Sequence, residues 1–272
     1  MTWVWLNGRM IDPATARIDP TDRGFSLADG VFETLRVEHG TPVDAALHWQ
    51  RLATGAAVLG LEAPEPARLD AAAAELIAAN RIADAALRVT LTRGPGPRGL
   101  APPAAPSPTL LIVASPLPPS PPPARAAVVS IRRNEHSPTS RIKSLAYLDQ
   151  ILALREAHAQ GRDEAIMLGT AGWIACASAG NLFVRHGDGL RTPSGAHGAL
   201  GGITRARVLA ARLPFDLAEA GITVAELRRA DEVMITSSLV GVRSVIEVDG
   251  VRIGDGRPGP AATLLRRALG RA

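Results

Sequence analysis

Two rhythms of apolar and polar residues run through the first 115 positions. Alternation at period two predicts strands at residues 3–8 (WVWLNG), 31–43 (VFETLRVEHGTPV, a hairpin turning at His39-Gly40), 86–94 (ALRVTLTRG) and 108–115 (PTLLIVAS). Residues 44–61 (DAALHWQRLATGAAVLGL) and 66–80 (PARLDAAAAELIAAN) place their apolar residues at helical spacing. Residues 115–123, SPLPPSPPP, break both rhythms. Proline removes a backbone donor and fixes φ, so this stretch cannot enter a sheet interior and reads as a stiff connector. Beyond it the pattern predicts strands in RAAVVSIRR, EAIMLGT, WIACAS, NLFVRHGDGLRTP, DEVMITSS and SVIEVDGVRIG, the last turning at Asp249-Gly250. Helices are expected from Leu145 to a stop at Gly161, in GITRARVLAARL after Gly201-Gly202, and in RPGPAATLLRRAL. In the Leu145 helix, Leu148, Ile151, Leu152 and Leu154 make the expected apolar face.

Strands mixed with packed helices define an α+β fold. The expected organisation is a small α/β domain over 1–115, a linker over 116–123 and a larger domain over 124–272. A single domain with a long surface loop is the alternative.

Composition narrows the class. Hydrophobic residues make up 46% and aromatics 3%, so Ala, Val and Leu must fill the core. The start lacks the basic-then-apolar pattern of a secretory signal, and no run of ~18 apolar residues predicts a membrane span. One cysteine, Cys176, excludes an internal disulfide and suits a reducing compartment, with the cytoplasm expected. The pI near 10.4 comes with a formal charge of only +4 and scattered basic residues, so no nucleic-acid partner is expected. The histidines show no metal-ligand spacing, and no metal is expected.

Among the 30 basic residues there is one lysine, Lys143. On a surface Arg and Lys exchange at little cost. Only the amine, however, can lose a proton and form an imine with an aldehyde. Lys143 is therefore a candidate nucleophile, the alternative being a leftover surface lysine in an Arg-biased chain. The only tyrosine, Tyr147, follows four residues later, and in a helical first turn it would face the same site.

Other residues suit anions. Ile203 and Thr204 open a helix after two glycines, where unpaired N–H groups and the helix dipole favour negative charge. Ser237 and Ser238 end a predicted strand, and Arg51 lies on the first predicted helix. Arg93 and Arg98 flank a Gly- and Pro-rich loop, where two guanidiniums could clamp a carboxylate. Capped turns and solvated arginines are the alternatives for each.

Taken in order, DRGFSLADGVFETLRV, LHWQRL, TRGPGPRG, KSLAYLDQILALREA, DEAIMLGTAGWI, SAGNLFV, GGITR and ITSSLVGVRSVIEVDG resemble the fold-type IV pyridoxal-phosphate (PLP) enzymes. These include branched-chain and D-amino acid aminotransferases and 4-amino-4-deoxychorismate lyase. The resemblance implies a small α/β domain and a larger pseudo-barrel domain with PLP between them, in a homodimer. It implies that Lys143 carries the cofactor as a Schiff base and that Tyr147 contacts the PLP phenolic oxygen. It further implies that Arg51, Ile203, Thr204 and Ser238 bind phosphate. Phe32 and Thr34 match substrate-side positions, Thr34 one assigned to the lyase reaction, and Arg98 matches an arginine for the substrate carboxylate. One position departs from the pattern. The family has a glutamate for the pyridine nitrogen five residues before the asparagine of S-x-N-[LI]-F, and here that residue is Cys176. A neutral thiol is a poor substitute for an anion, which implies a weakened electron sink. Amino-group transfer is the first expectation, the lyase the second, and a PLP-binding protein with little turnover the third.

Overall fold

The structure is a computed structural model describing residues 3–270. It contains two compact units: residues up to Pro118 with Ile142–Ala146, and Pro119–Arg141 with Tyr147 onward. Their border falls inside the proline-rich stretch. The segment carrying Lys143 packs with the first unit, although it follows that stretch in sequence.

In the first unit, β1 (Val4–Leu6) and β2 (Arg9–Ile11) form a hairpin, followed by α1 (Arg23–Leu27), β3 (Gly30–Glu38) and β4 (Thr41–Pro42). Then come α2 (Ala45–Val58), α3 (Pro66–Ala79), β5 (Ala85–Thr92) and β6 (Thr109–Ser115). The β3–β4 turn is at His39-Gly40, with φ of 51° and 76°, as a two-residue hairpin requires. The sheet runs β2-β1-β6-β5-β3-β4, every pairing antiparallel. One face is covered by α2 and α3. Val31, Leu35, Leu87, Val89 and Ile112 meet Trp49, Leu52, Leu69 and Leu76 there in one core. Successive strand residues point to opposite faces, so Val31, Glu33, Leu35 and Val37 face the helices and Phe32, Thr34 and Arg36 face away. Ile142–Ala146 runs extended beside the start of β3. Phe32 N–H donates to the Lys143 carbonyl (2.9 Å), and Leu145 N–H donates to the Gly30 carbonyl (3.0 Å).

The second unit contains β7 (Ala124–Arg133), α4 (Leu148–Ala159), β8 (Glu164–Gly169), β9 (Ile174–Ala177), β10 (Asn181–His186) and β11 (Gly189–Thr192). It continues with α5 (Ile203–Ala210), β12 (Asp216–Glu219), α6 (Val224–Arg228), β13 (Glu232–Ser237), β14 (Gly241–Val248), β15 (Val251–Arg252) and α7 (Pro260–Ala268). The strand order is β12-β11-β10-β13-β14-β7-β8-β9, with β15 on β14. Apolar residues from β7, β8, β9, β10, β13 and β14 gather in one core, which requires the sheet to curl. The parallel β7–β8 pair is crossed by α4, which packs Ala153 and Ala157 against Ala127, Val129 and Met167.

Here the structure corrects the sequence reading. The helix begins at Leu148, not Leu145, and Leu148 and Ile151 are 66% and 61% exposed. The buried stripe is Gln150, Ala153 and Ala157, because only small side chains allow the helix to lie close on the sheet. The extended 142–146 backbone also removes the helical-turn argument linking Lys143 to Tyr147, which is the half-buried N-cap of α4.

Candidate active site

In the first unit, Lys143 is half-buried and its Nζ lies 4.2 Å from the centroid of the Phe32 ring. The guanidinium of Arg88, opposite Thr34 on β5, lies 3.9 Å from the same centroid. The pleat explains this arrangement: Phe32, Thr34 and Arg88 lie on the sheet face turned away from the helices, and β3 holds the Lys143 backbone in register beside Phe32. A buried aromatic ring thus receives two cations. Arg88 gives no motif in the sequence and was not anticipated.

Behind Phe32, on the helix-facing side of β3, Glu33 is fully buried. Arg51 Nε donates to its Oε1 (2.7 Å) and Nη2 to its Oε2 (2.6 Å), and His48 Nδ1 lies 2.6 Å from Oε2. Burial works against the Glu33 charge. Hydrogen bonds and charge from Arg51 and His48 outweigh it and hold the carboxyl below its ordinary value. Arg51 is therefore in place on α2, but bound to a carboxylate that the sequence reading missed. The available signal was a glutamate in the apolar phase of a strand and a His-x-x-Arg spacing on the facing helix.

Arg93 is not a substrate clamp. It is buried, with Nε and Nη2 on Asp29 (2.8 and 3.1 Å) and Nη2 also on the Leu59 carbonyl (2.6 Å). Arg23 shares Asp29 (2.9 Å) and donates to the carbonyls of Gly99 (2.9 Å), Leu100 (2.8 Å) and Ala101 (3.3 Å). These two arginines brace the loop after β5, and Arg98 stands exposed on it.

In the second unit, α5 opens at Gly202 without a side-chain cap, leaving the first-turn N–H groups of Ile203 and Thr204 for an anion. A Cβ at Gly202 would fall 1.9 Å from Asn181 Oδ1, so only glycine fits this entry to the helix. Asn181 is fixed in turn by its Nδ2 bond to the Leu200 carbonyl (2.8 Å). The hydroxyl of Thr236, opposite Asn181 on β13, is buried without a partner. Ser237 ends β13 with its Oγ 3.4 Å from Val240 N, and Ser238 follows half-buried. An uncapped helix N-terminus, a cradle that excludes a Cβ and an orphaned hydroxyl fit a phosphate. With the Lys143 amine in the first unit, the residues fit PLP.

Cys176 lies on β9 in the apolar layer under α4. Burial pushes its thiol up to about 11, Arg133 pulls it down less strongly, and Glu164 adds to the rise. Arg133 is itself held by the carbonyls of Ser140 (2.6 Å) and Gly198 (3.2 Å), and Glu164 by Ser178. The thiol thus stays neutral at ordinary pH. Among the described residues, no group of His, Cys, Asp and Glu could hold a metal ion, and no helix is long and apolar enough to cross a membrane.

The profile of the amino-transferase class IV family matches residues 30–248. The D-alanine aminotransferase of Bacillus licheniformis is 30% identical over 98% of this chain and 95% of its own. The aminodeoxychorismate lyase of Bacillus subtilis is 30% identical over 97% and 92%. A solved branched-chain aminotransferase of Thermoproteus uzoniensis superimposes with a TM-score of 0.91 at 30% identity, covering 99% of this chain and 95% of that one. Solved relatives include PLP-bound forms.

Proposed function

The chain belongs to the class IV aminotransferase family, a PLP-dependent family with the fold-type IV architecture, and on that premise we propose that it transfers an amino group between an amino acid and a 2-oxo acid. The observation that carries this reading is the sole lysine, held in extended backbone beside β3 with its amine over Phe32. PLP supplies an aldehyde that condenses with amines and a ring that draws electrons from the substrate α-carbon. Lys143 Nζ carries that aldehyde at rest; displaced by the substrate amine, it takes the α-proton and returns it. The Gly202–Thr204 turn and Arg51 hold the phosphate. Arg88 and Arg98 offer guanidiniums for a substrate carboxylate, D-alanine and branched-chain L-amino acids being the donor classes to examine first. Replacing Lys143 with Arg tests the assignment: amino transfer and the imine absorption band with PLP should both vanish, and surviving turnover refutes it.

The lyase reading rests on Thr34 beside Arg88 and on the 30% identity to the B. subtilis lyase. The same proton abstraction would expel pyruvate from aminodeoxychorismate. Pyruvate release without an amino acceptor distinguishes the two. A third reading, PLP binding with little turnover, rests on the neutral Cys176. A cytoplasmic homodimer is part of the same proposal, supported by the resemblance and by the exposed Leu148 and Ile151 side chains that a second copy would cover.

A further inference from the structure

Glu33 occupies a position that should be apolar. It points into the core between Val31 and Leu35, and α2 brings His48 and Arg51, three residues apart on one helix face, to meet it. Packing does not require this trio, because buried ion pairs are commonly no more stable than apolar side chains of the same size. What it does provide is orientation. The guanidinium is planar, and two hydrogen bonds along its Nε–Nη2 side fix both its position and its plane. Glu33 Oε2 takes a second bond from His48. A carboxylate can only accept, so Nδ1 carries the proton, and this bond keeps the carboxylate from turning. The side chains of Glu33 and His48 are 0% and 1% exposed and that of Arg51 16%, so the trio reaches outward only through Arg51.

We propose that Glu33 and His48 are positioning residues that aim Arg51 at the phosphate of PLP, an inference that rests on the cofactor reading above. They touch neither substrate nor cofactor and act through the guanidinium.

The test compares the affinity of the full-length protein for PLP and for pyridoxal, which has the same aldehyde and no phosphate, by titration of the imine band. Both ligands use Lys143, so a general loss of structure moves both affinities, and a mis-set Arg51 moves only the first. Glu33→Gln should weaken PLP by about tenfold or more and pyridoxal by less than about threefold. Arg51→Gln should reproduce that selectivity, and the double variant should be no worse than Arg51→Gln alone. His48→Gln leaves the ion pair intact and should give a smaller loss, again selective for PLP; it carries the test if Glu33→Gln does not fold. Equal losses for both ligands would mean a structural role and overturn the proposal. Tighter PLP binding in Glu33→Gln would mean that Glu33 merely neutralises Arg51, and also overturns it. A wild-type protein that binds pyridoxal and PLP equally well removes the role of Arg51, and one that binds neither removes the cofactor reading as well.

Discussion

Replacing Cys176 with glutamate should raise turnover, and the structure sets the size of the effect. With its thiol pushed up to about 11, Cys176 is ionised in about one molecule in a thousand at pH 8, so the pyridine nitrogen has no anion to meet there. A carboxylate starts near ~4.3. The environment that lifts the thiol from 9.0 to about 11 would leave a glutamate near ~6, ionised at pH 8. The larger side chain must crowd Ala153, Ala157, Ala165 and Met167, at a cost of about 1–3 kcal/mol in stability. Cys176→Gln has the same size without the charge and controls for that crowding. Amino transfer from D-alanine and L-leucine to a 2-oxo acid, measured at pH 8 with saturating PLP, should be at least ~10-fold faster in Cys176→Glu than in Cys176→Gln, or ~1.4 kcal/mol in barrier. Equal rates in the two variants, with cofactor binding retained, would show that an anion at this position does not limit the reaction.

Three further outcomes follow from the geometry. Arg23→Met strands the carbonyls of Gly99, Leu100 and Ala101 and half of the Asp29 pairing; urea denaturation should show a loss of about 2–4 kcal/mol, with faster amide exchange across the loop. The Glu135 carboxylate accepts N–H bonds from Thr170 and Ala171 and the Thr170 hydroxyl, which lower it from 4.5 to about 2. Its stabilisation is therefore present above pH 4.5 and lost as pH falls through about 2, so the stability gap between wild type and Glu135→Gln should close over that window. Gly202→Ala should displace Asn181 or the start of α5, costing about 1–3 kcal/mol by thermal melting and weakening PLP more than pyridoxal.

Much of this fold is local and could be read in order along the chain. The turns at His39-Gly40 and Asp249-Gly250 follow from backbone that needs positive φ at both residues, and the structure has it there. The helices α2, α3, α5 and α7 lie within the segments where apolar spacing and capping residues placed them. Where two stripes of one helix compete, periodicity cannot choose. In α4 the larger residues Leu148 and Ile151 made the better apolar face, and the sheet took Ala153 and Ala157.

The chemistry divides along the same line. That one amine exists in the chain, that it is Lys143, and that a thiol stands where the family pattern has glutamate were matters of residue identity, readable without coordinates. Which charged groups are spent on structure was not readable, because their partners are distant in sequence. Arg93 resembled a substrate arginine until Asp29, 64 residues away, claimed it in the interior. Glu33 looked like one polar residue in a strand until α2 laid His48 and Arg51 over it. Lys143 gained its setting from β3, more than a hundred residues earlier. Backbone preference and residue type act over a few positions, and sequence carries them directly. Burial, ion pairing and the ionisation of Cys176 depend on which distant segments share a low-dielectric interior, and only the folded chain decides that.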